Sequence, residues 1–578
     1  MVYIDFNMGG CAARERPTVR HVIRRVSSSK FIKPKVRENL ESYYLFWLDN
    51  TARSPEFMEA PDELRAVINH VEIFESNEEC VRRFEKIKQG KIFLIANLTQ
   101  ALLLLPRIHD HQELYSIYMY PDRNNIDMNE ITYNFNKVRG IHDSFATAKR
   151  YLEDDVKMHT DLDEPMIMNF NEDDNESESQ KRFNLFLKVV NTKANNVYDN
   201  QTQEHLVDTY EEYYKGNDSE TNFIDEFSRL YKPEDAIAWY MRGSCLHRLL
   251  THAFNEQNMR LLVDMYSFIV DVNRNIKTKS LTQSSKLHVF RGQFLSTEKL
   301  TLFKNHINQL VTMHCFLSAQ ISREDVVNLL DSIDPIDKSF VRIIFEIDAS
   351  QNCVIVDGSE SSTSKTALFM LGSVFKIVDV TETTVRLSQY TATSDDNFDL
   401  VNESSEILKG ILTYLKDGPV QAIQYFQANL IRLSETDLAT RSSMHGQLGY
   451  LEQQVGHSEI ATQMYEKSMN DRTIQFRVYL FYLDQAAKHY ANVLRDWGKA
   501  KAIWLQKLDI QNALHIEEGK AQTYENLARA ALMTKQNDKT IEYTSAAIKS
   551  LPDDHPHLSY LRQQLEHAKT NVSPETTS

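Results

Sequence analysis

Lys286-Leu287-His288-Val289-Phe290-Arg291-Gly292-Gln293 decides how the middle of this 578-residue chain is read. It is an apolar strand that ends on a cation. Twenty-four residues past Arg291 begins Cys315-Phe316-Leu317-Ser318-Ala319-Gln320, then the strand Val341-Arg342-Ile343-Ile344-Phe345-Glu346-Ile347-Asp348. Ser364-Lys365-Thr366-Ala367-Leu368-Phe369 comes next and runs into Gly372-Ser373-Val374-Phe375-Lys376-Ile377. A guanidinium keeps its charge at any physiological pH and binds a diphosphate bidentately, which makes Arg291 a candidate anion ligand. The same side chain at a sheet edge also suits a carboxylate partner. Glu346 and Asp348 alternate along their strand and read as solvated partners rather than buried acids.

The order Arg291, Ser318 and the Leu-Phe strand resembles the Arg, Ser, Glu signature of the arginine-type mono-ADP-ribosyltransferases. The resemblance covers 191–405, with helices first (Ala236-Ile237-Ala238-Trp239-Tyr240 to Ile269) and a strand-rich half after them. It implies an α+β fold that takes NAD as substrate and needs no metal. Arg291 with Gly292 would bind the dinucleotide phosphates, and Ser318 would shape the nicotinamide pocket. The family's Thr-Ser after that serine is Ala319-Gln320 here, which removes a hydroxyl and adds bulk.

In that family two glutamates in E-x-E precede the Leu-Phe strand, and the second stabilises the positive charge that grows on the ribose. Ser364 and Thr366 occupy the two positions here. Losing one preorganised charge aimed at an oxocarbenium-like transition state costs about 3–4 kcal/mol, or about 100- to 1000-fold in rate. Glu360, in the same loop, is the candidate substitute. Two readings stand: an NAD-dependent protein mono-ADP-ribosyltransferase with a protein acceptor, or a non-catalytic module that binds NAD or protein.

Upstream, Tyr43–Leu48, Val71–Phe74, Lys91–Ala96 and Leu114–Met119 are near-continuous apolar runs separated by amphipathic segments. That pattern predicts a parallel sheet covered on both faces, so 40–160 reads as an α/β domain of flavodoxin-like or receiver-like shape. Asp49 ends the first strand, where such sheets often bind ligands, although an aspartate there also caps a turn. The acidic stretch Asn169–Ser179 predicts a linker over 161–190.

Ala422, Ala461 and Ala500 recur every 39 residues, each followed four positions later by an aromatic: Phe426, Tyr465 and Trp504. Thr540 continues the series, and Gly418 and Gly456 mark turns ahead of the first two units. Small-then-aromatic at i and i+4 lets one helix approach its neighbour while the ring fills the gap beside it. The region 406–570 is thus similar to a tetratricopeptide array of the longer-period kind seen in kinesin light chains, an all-α superhelix. Such an array is expected to fold by itself and to bind a peptide or protein in its groove.

Hydrophobic content of 42% and aromatic content of 10% are those of globular protein. The length suggests several domains, and a formal charge of −16 argues against nucleic acid as a partner. Cys11, Cys80, Cys245, Cys315 and Cys353 show no ligand spacing and suit a reducing, cytoplasmic setting. The pair His109 and His111 lacks companions for a metal site. The basic segment 1–39 and the tail 571–578 are predicted to be disordered. Membrane contact is expected only if Met8-Gly9-Gly10-Cys11 forms an acylated terminus from Met8 ahead of its basic stretch.

Overall fold

In the computed structural model the described residues are 39–88, 90–121, 135, 137–162, 168–170, 177–191, 207, 209–280, 287–332, 340–349, 353–357, 365–390, 404–470, 476–517, 519–552, 555 and 557–570. The fold is mixed, with two sheet-containing regions and a C-terminal series of paired helices.

Strands β1 (Tyr43–Leu48), β2 (Val71–Phe74), β3 (Lys91–Asn97), β4 (Leu114–Tyr120) and β5 (Val138–Ile141) form an all-parallel sheet in the order β2-β1-β3-β4-β5. Alternate residues of the apolar runs face opposite ways. Phe46, Leu48, Leu94 and Met119 pack under the helices Asn77–Phe84 and Leu98–Ile108. Leu45, Trp47, Phe93 and Tyr118 pack under Ala60–Val67 and Phe145–Leu162. Burial on both faces is why the strands read as continuous runs rather than as alternation.

Asp49 is 1% exposed at the carboxyl end of β1. It accepts from the Thr51 N–H and hydroxyl, both at 2.7 Å, and from the Tyr120 hydroxyl at 2.5 Å. Its lone pairs are taken up by the turn and by β4, which is a capping role.

Strand β1 is preceded by Glu41, which fastens this region to the helices behind it. Glu41 is 4% exposed and accepts from Tyr214 Oη at 2.5 Å and Arg248 Nε at 3.0 Å, while Arg248 Nη2 reaches Glu220 at 2.6 Å. Burial opposes the guanidinium charge, but Glu41 and Glu220 hold its pKa well above the ordinary value.

The second sheet has nine strands in the order β11-β12-β9-β7-β10-β14-β13-β8-β6. They are β6 (Met168–Phe170), β7 (Leu287–Ser296), β8 (Leu310–Met313), β9 (Leu317–Gln320), β10 (Phe340–Ala349), β11 (Cys353–Asp357), β12 (Lys365–Phe369), β13 (Val374–Val380) and β14 (Thr384–Tyr390). All pairings are antiparallel except that of β10 with β14. The wing β11-β12-β9 joins the rest through a single residue pair, Phe290 with Gln320.

Where composition predicts a linker over 161–190, the chain has β6, paired with β8, and the helix Glu178–Val190. Phe183 and Phe186 of that helix are fully buried in the helical core, and their apolar area outweighs the acidic residues ahead of them.

The C-terminal pairs are Ser405–Asp417 with Pro419–Arg432, Leu438–Gln454 with Ser458–Asn470, Phe476–Asn492 with Trp497–Ala513, and Lys520–Met533 with Asn537–Lys549, followed by Leu558–Thr570. Ala422, Ala461 and Ala500 are fully buried, and Phe426, Tyr465 and Trp504 are at most 2% exposed. Each of the first two rings lies on a glycine of the preceding helix: a Cβ on Gly410 would stand 2.1 Å from Phe426 Cζ, and one on Gly449 2.8 Å from Tyr465 Cδ1.

The expectation of a self-contained array is corrected at its start. Ile407, Leu408, Ile411, Leu415 and Phe426 share one core with Leu250, Leu262 and Phe268 of the preceding helices. Only the later pairs, from Ala461 to Tyr543, have a core of their own.

Candidate functional site

The seam between β7 and β9 brings the sequence candidates together. Val289, Arg291, Gln293 and Leu295 share one face of β7, with Val289 and Leu295 in the sheet core. Arg291 is only 5% exposed. Its Nη1 donates to the Ser318 carbonyl at 2.8 Å and to Ser318 Oγ at 3.0 Å. The wing strand is thus gripped by a guanidinium at the point where backbone pairing with β7 is thinnest.

Gly292 points away from this contact. A Cβ there would stand 2.9 Å from Leu330 Cγ and 3.0 Å from Val326 Cγ1, so the missing side chain lets the helix Arg323–Asp331 close on β7. Packing against that helix accounts for the missing side chain at Gly292.

Register fixes the neighbours of Ser318. Thr366 stands opposite Gln320, and Leu368 opposite Ser318. Residues facing each other across an antiparallel pair share a side, so Ser318, Gln320, Thr366 and Leu368 lie on one face of the wing. Leu368 and Val354 pack into the helical core on that face, while Ala319, Ala367 and Phe369 pack into the sheet core on the other. Thr366 is 6% exposed, and its hydroxyl lies 3.5 Å from Gln320 Oε1. Ser318, Gln320 and Thr366 therefore line one patch of the wing, with Thr366 diagonal to Ser318, and Arg291, whose neighbour Phe290 is the residue paired with Gln320, meets that patch through Ser318. The Gln320–Thr366 partnership escaped the sequence reading because it depends on the register of two strands 46 residues apart. Ser364 and Glu360 lie outside the described residues.

Glu346 and Asp348 sit elsewhere. Glu346 Oε1 lies 3.4 Å from Arg323 Nε, and Asp348 Oδ1 lies 2.8 Å from His288 Nδ1 near the end of the strand. Four residues before Ser318, His314 is 1% exposed and stacks on Phe183 with ring centroids 4.6 Å apart. Burial pulls its pKa down to about 4, which keeps the ring neutral.

The chemistry available to the patch is anion binding. A buried guanidinium held in place by Ser318 presents fixed positive charge, and the side chains of Ser318, Gln320 and Thr366 supply neutral donors and acceptors. Neither Thr366 nor Gln320 ionises, so neither can offset a growing cation as a carboxylate does.

No family model matches the chain, and no curated protein sequence matches it. Among solved structures, a Podosopora anserina kinesin light chain with nearly identical TPR-like repeats shares 17% identity, covering 29% of this chain and 84% of that one, with a TM-score of 0.26. C3larvin toxin, an ADP-ribosyltransferase from Paenibacillus larvae, shares 13% identity over 32% of this chain and 100% of that one, with a TM-score of 0.18. The ADP-ribosylating toxin BECa of C. perfringens, solved with NADH, shares 13% over 38% and 61%, with a TM-score of 0.20. Likeness at this level carries no functional argument, and the chemistry of the seam rests on its own residues. Among the described residues no helix is long and apolar enough to cross a membrane.

Proposed function

We propose that the region 191–405 is an ADP-ribosyltransferase-like domain that binds NAD at the β7–β9 seam. In this reading Arg291 holds the diphosphate, Ser318 orients the ribose side, and the C-terminal helices recruit the protein on which the domain acts. One observation carries it: Arg291 is nearly buried yet turned onto Ser318, the residue with which the sequence signature couples it. A purely structural arginine at a sheet edge would be equally served by a surface carboxylate. The order Thr366-Ala367-Leu368-Phe369, with the Leu-Phe pair where it follows the glutamates in the family signature, supports placing the family's second glutamate at Thr366.

With threonine there, transition-state charge goes unmatched, and turnover of bound NAD is about 100- to 1000-fold slower than a glutamate at that position would give. The domain is then foremost a binder of the dinucleotide, and slow transfer to a protein held on the repeats is its residual activity. The test is NAD binding and NAD cleavage measured on one purified sample of the full chain. Binding with slow nicotinamide release is expected, and no binding overturns the reading.

A further inference from the structure

A cavity of about 430 Å³ opens far from Arg291 in sequence, where the helix Glu178–Val190, the turn before the helix Met259–Asp264, and the end of the helix Ser405–Asp417 meet. Its polar lining includes Ser179, Arg182, Gln257, Arg260 and Lys416, with Glu178 as the one acid. The three cations are committed to different degrees. Lys416 Nζ is tied to Asp264 Oδ1 at 2.5 Å. Arg182 spends its Nη2 on the carbonyls of Tyr414 and Leu415, capping the last turn of the helix Ser405–Asp417, and lies over the Tyr414 ring. No carboxylate neutralises it among the described residues, and its Nε is buried without a hydrogen-bond partner there. Arg260 is exposed and has no ion-pair partner among the described residues. Glu178 is engaged by the Tyr414 hydroxyl at 3.4 Å, and Ser179 by Gln257 at 2.8 Å.

We infer that this cavity is a binding site for a small phosphate-bearing anion, which would bridge the helical lobe and the first repeat helix. Arg260 offers its donors in a planar fork, the geometry that phosphate oxygens accept bidentately, and Arg182, its Nη2 held by the two carbonyls, adds a charge that no carboxylate among the described residues matches. The volume lies within the range of small-molecule sites, and Met259 and Leu415 supply the apolar wall that such sites carry. A bound anion would join residues from three segments distant in the sequence and so stabilise the seam between the lobe and the array.

The probe is inorganic pyrophosphate, added to the full chain carrying Arg291→Ala so that the β7–β9 seam cannot supply the binding. Thermal unfolding is followed against sodium chloride at equal ionic strength. A rise of about 2 °C or more with pyrophosphate alone is expected. Adding Arg260→Glu, an exposed position whose change spares the core, should weaken the apparent affinity by about tenfold or more, as losing a charge-assisted contact does. No rise, an equal rise with sodium chloride, or a rise that survives Arg260→Glu overturns the inference. None of these outcomes depends on whether the seam binds NAD.

Discussion

Replacing Trp504 by alanine tests how the repeat helices are held together. The indole is 2% exposed, so nearly its whole surface leaves water on folding, and its Nε1 donates to Asp484 Oδ1 at 3.1 Å. Asp484 also receives Lys507 Nζ at 3.1 Å, Lys488 Nζ at 2.8 Å and Asn526 Nδ2 at 3.4 Å. Burial raises the pKa of that carboxyl, but Lys507 and Lys488 outweigh it and hold the group ionised. Losing the indole therefore leaves Asp484 paired, and the cost is mainly the cavity, about 3–5 kcal/mol. Trp504→Phe keeps most of the volume and loses the hydrogen bond, and should cost about 1–2 kcal/mol. Hydrogen exchange of the full chain in denaturant reads the effect locally, because units in such an array couple mainly to their neighbours. Protection should fall in 476–549 and hold in the helical lobe. Equal costs for the two variants, or a loss of protection spread over the lobe, would refute the packing argument.

Thr366→Glu places a carboxylate on the Ser318 face and should raise NAD cleavage by at least about tenfold, read as nicotinamide release. An unchanged rate in protein that still binds NAD would show that Thr366 is not aimed at the ribose. His314 predicts acid lability. Its folded pKa of about 4 lies below the ordinary 6.5, so the unfolded chain takes the proton first. Its contribution is complete above about pH 6.5 and drains away as pH falls toward 4, by about 3 kcal/mol in all. His314→Phe should flatten that part of the stability profile, and an unaltered slope would contradict it. In a fragment starting at residue 400 the first pair, 405–432, should lose its hydrogen-exchange protection while the later pairs keep theirs, since Ile407, Leu408, Ile411 and Leu415 lose the partners they share with the lobe and the core from Ala461 to Tyr543 stays intact. Protection of 405–432 as strong in the fragment as in the full chain would show that the shared core is dispensable.

Elements with a local signal were legible in the sequence. The four apolar runs of the first sheet appear as β1 to β4 because burial on both faces writes itself as continuous hydrophobicity. The 39-residue spacing of Ala422, Ala461 and Ala500 survives because each small residue marks the same close approach of two helices. What the sequence hid is long-range. Nothing local in Glu41 announces Arg248, some two hundred residues away, and the shared core of Leu415 and Leu262 looks, in one dimension, like two separate amphipathic helices. The acidic run before Phe183 masked a helix whose apolar face faces inward. At the site, Arg291 and Ser318 could be paired by their order, but the position of Gln320 beside Thr366 needed the strand register.

Calorimetric titration of NAD into the full chain and into its Arg291→Ala variant tests the central claim most directly. The guanidinium held by Ser318 is the fixed cation on which the proposed diphosphate site depends. The parent should bind NAD, and Arg291→Ala should weaken binding by about tenfold or more, the loss of a charge-assisted contact. Equal affinities, or a parent that binds no NAD, would contradict the account.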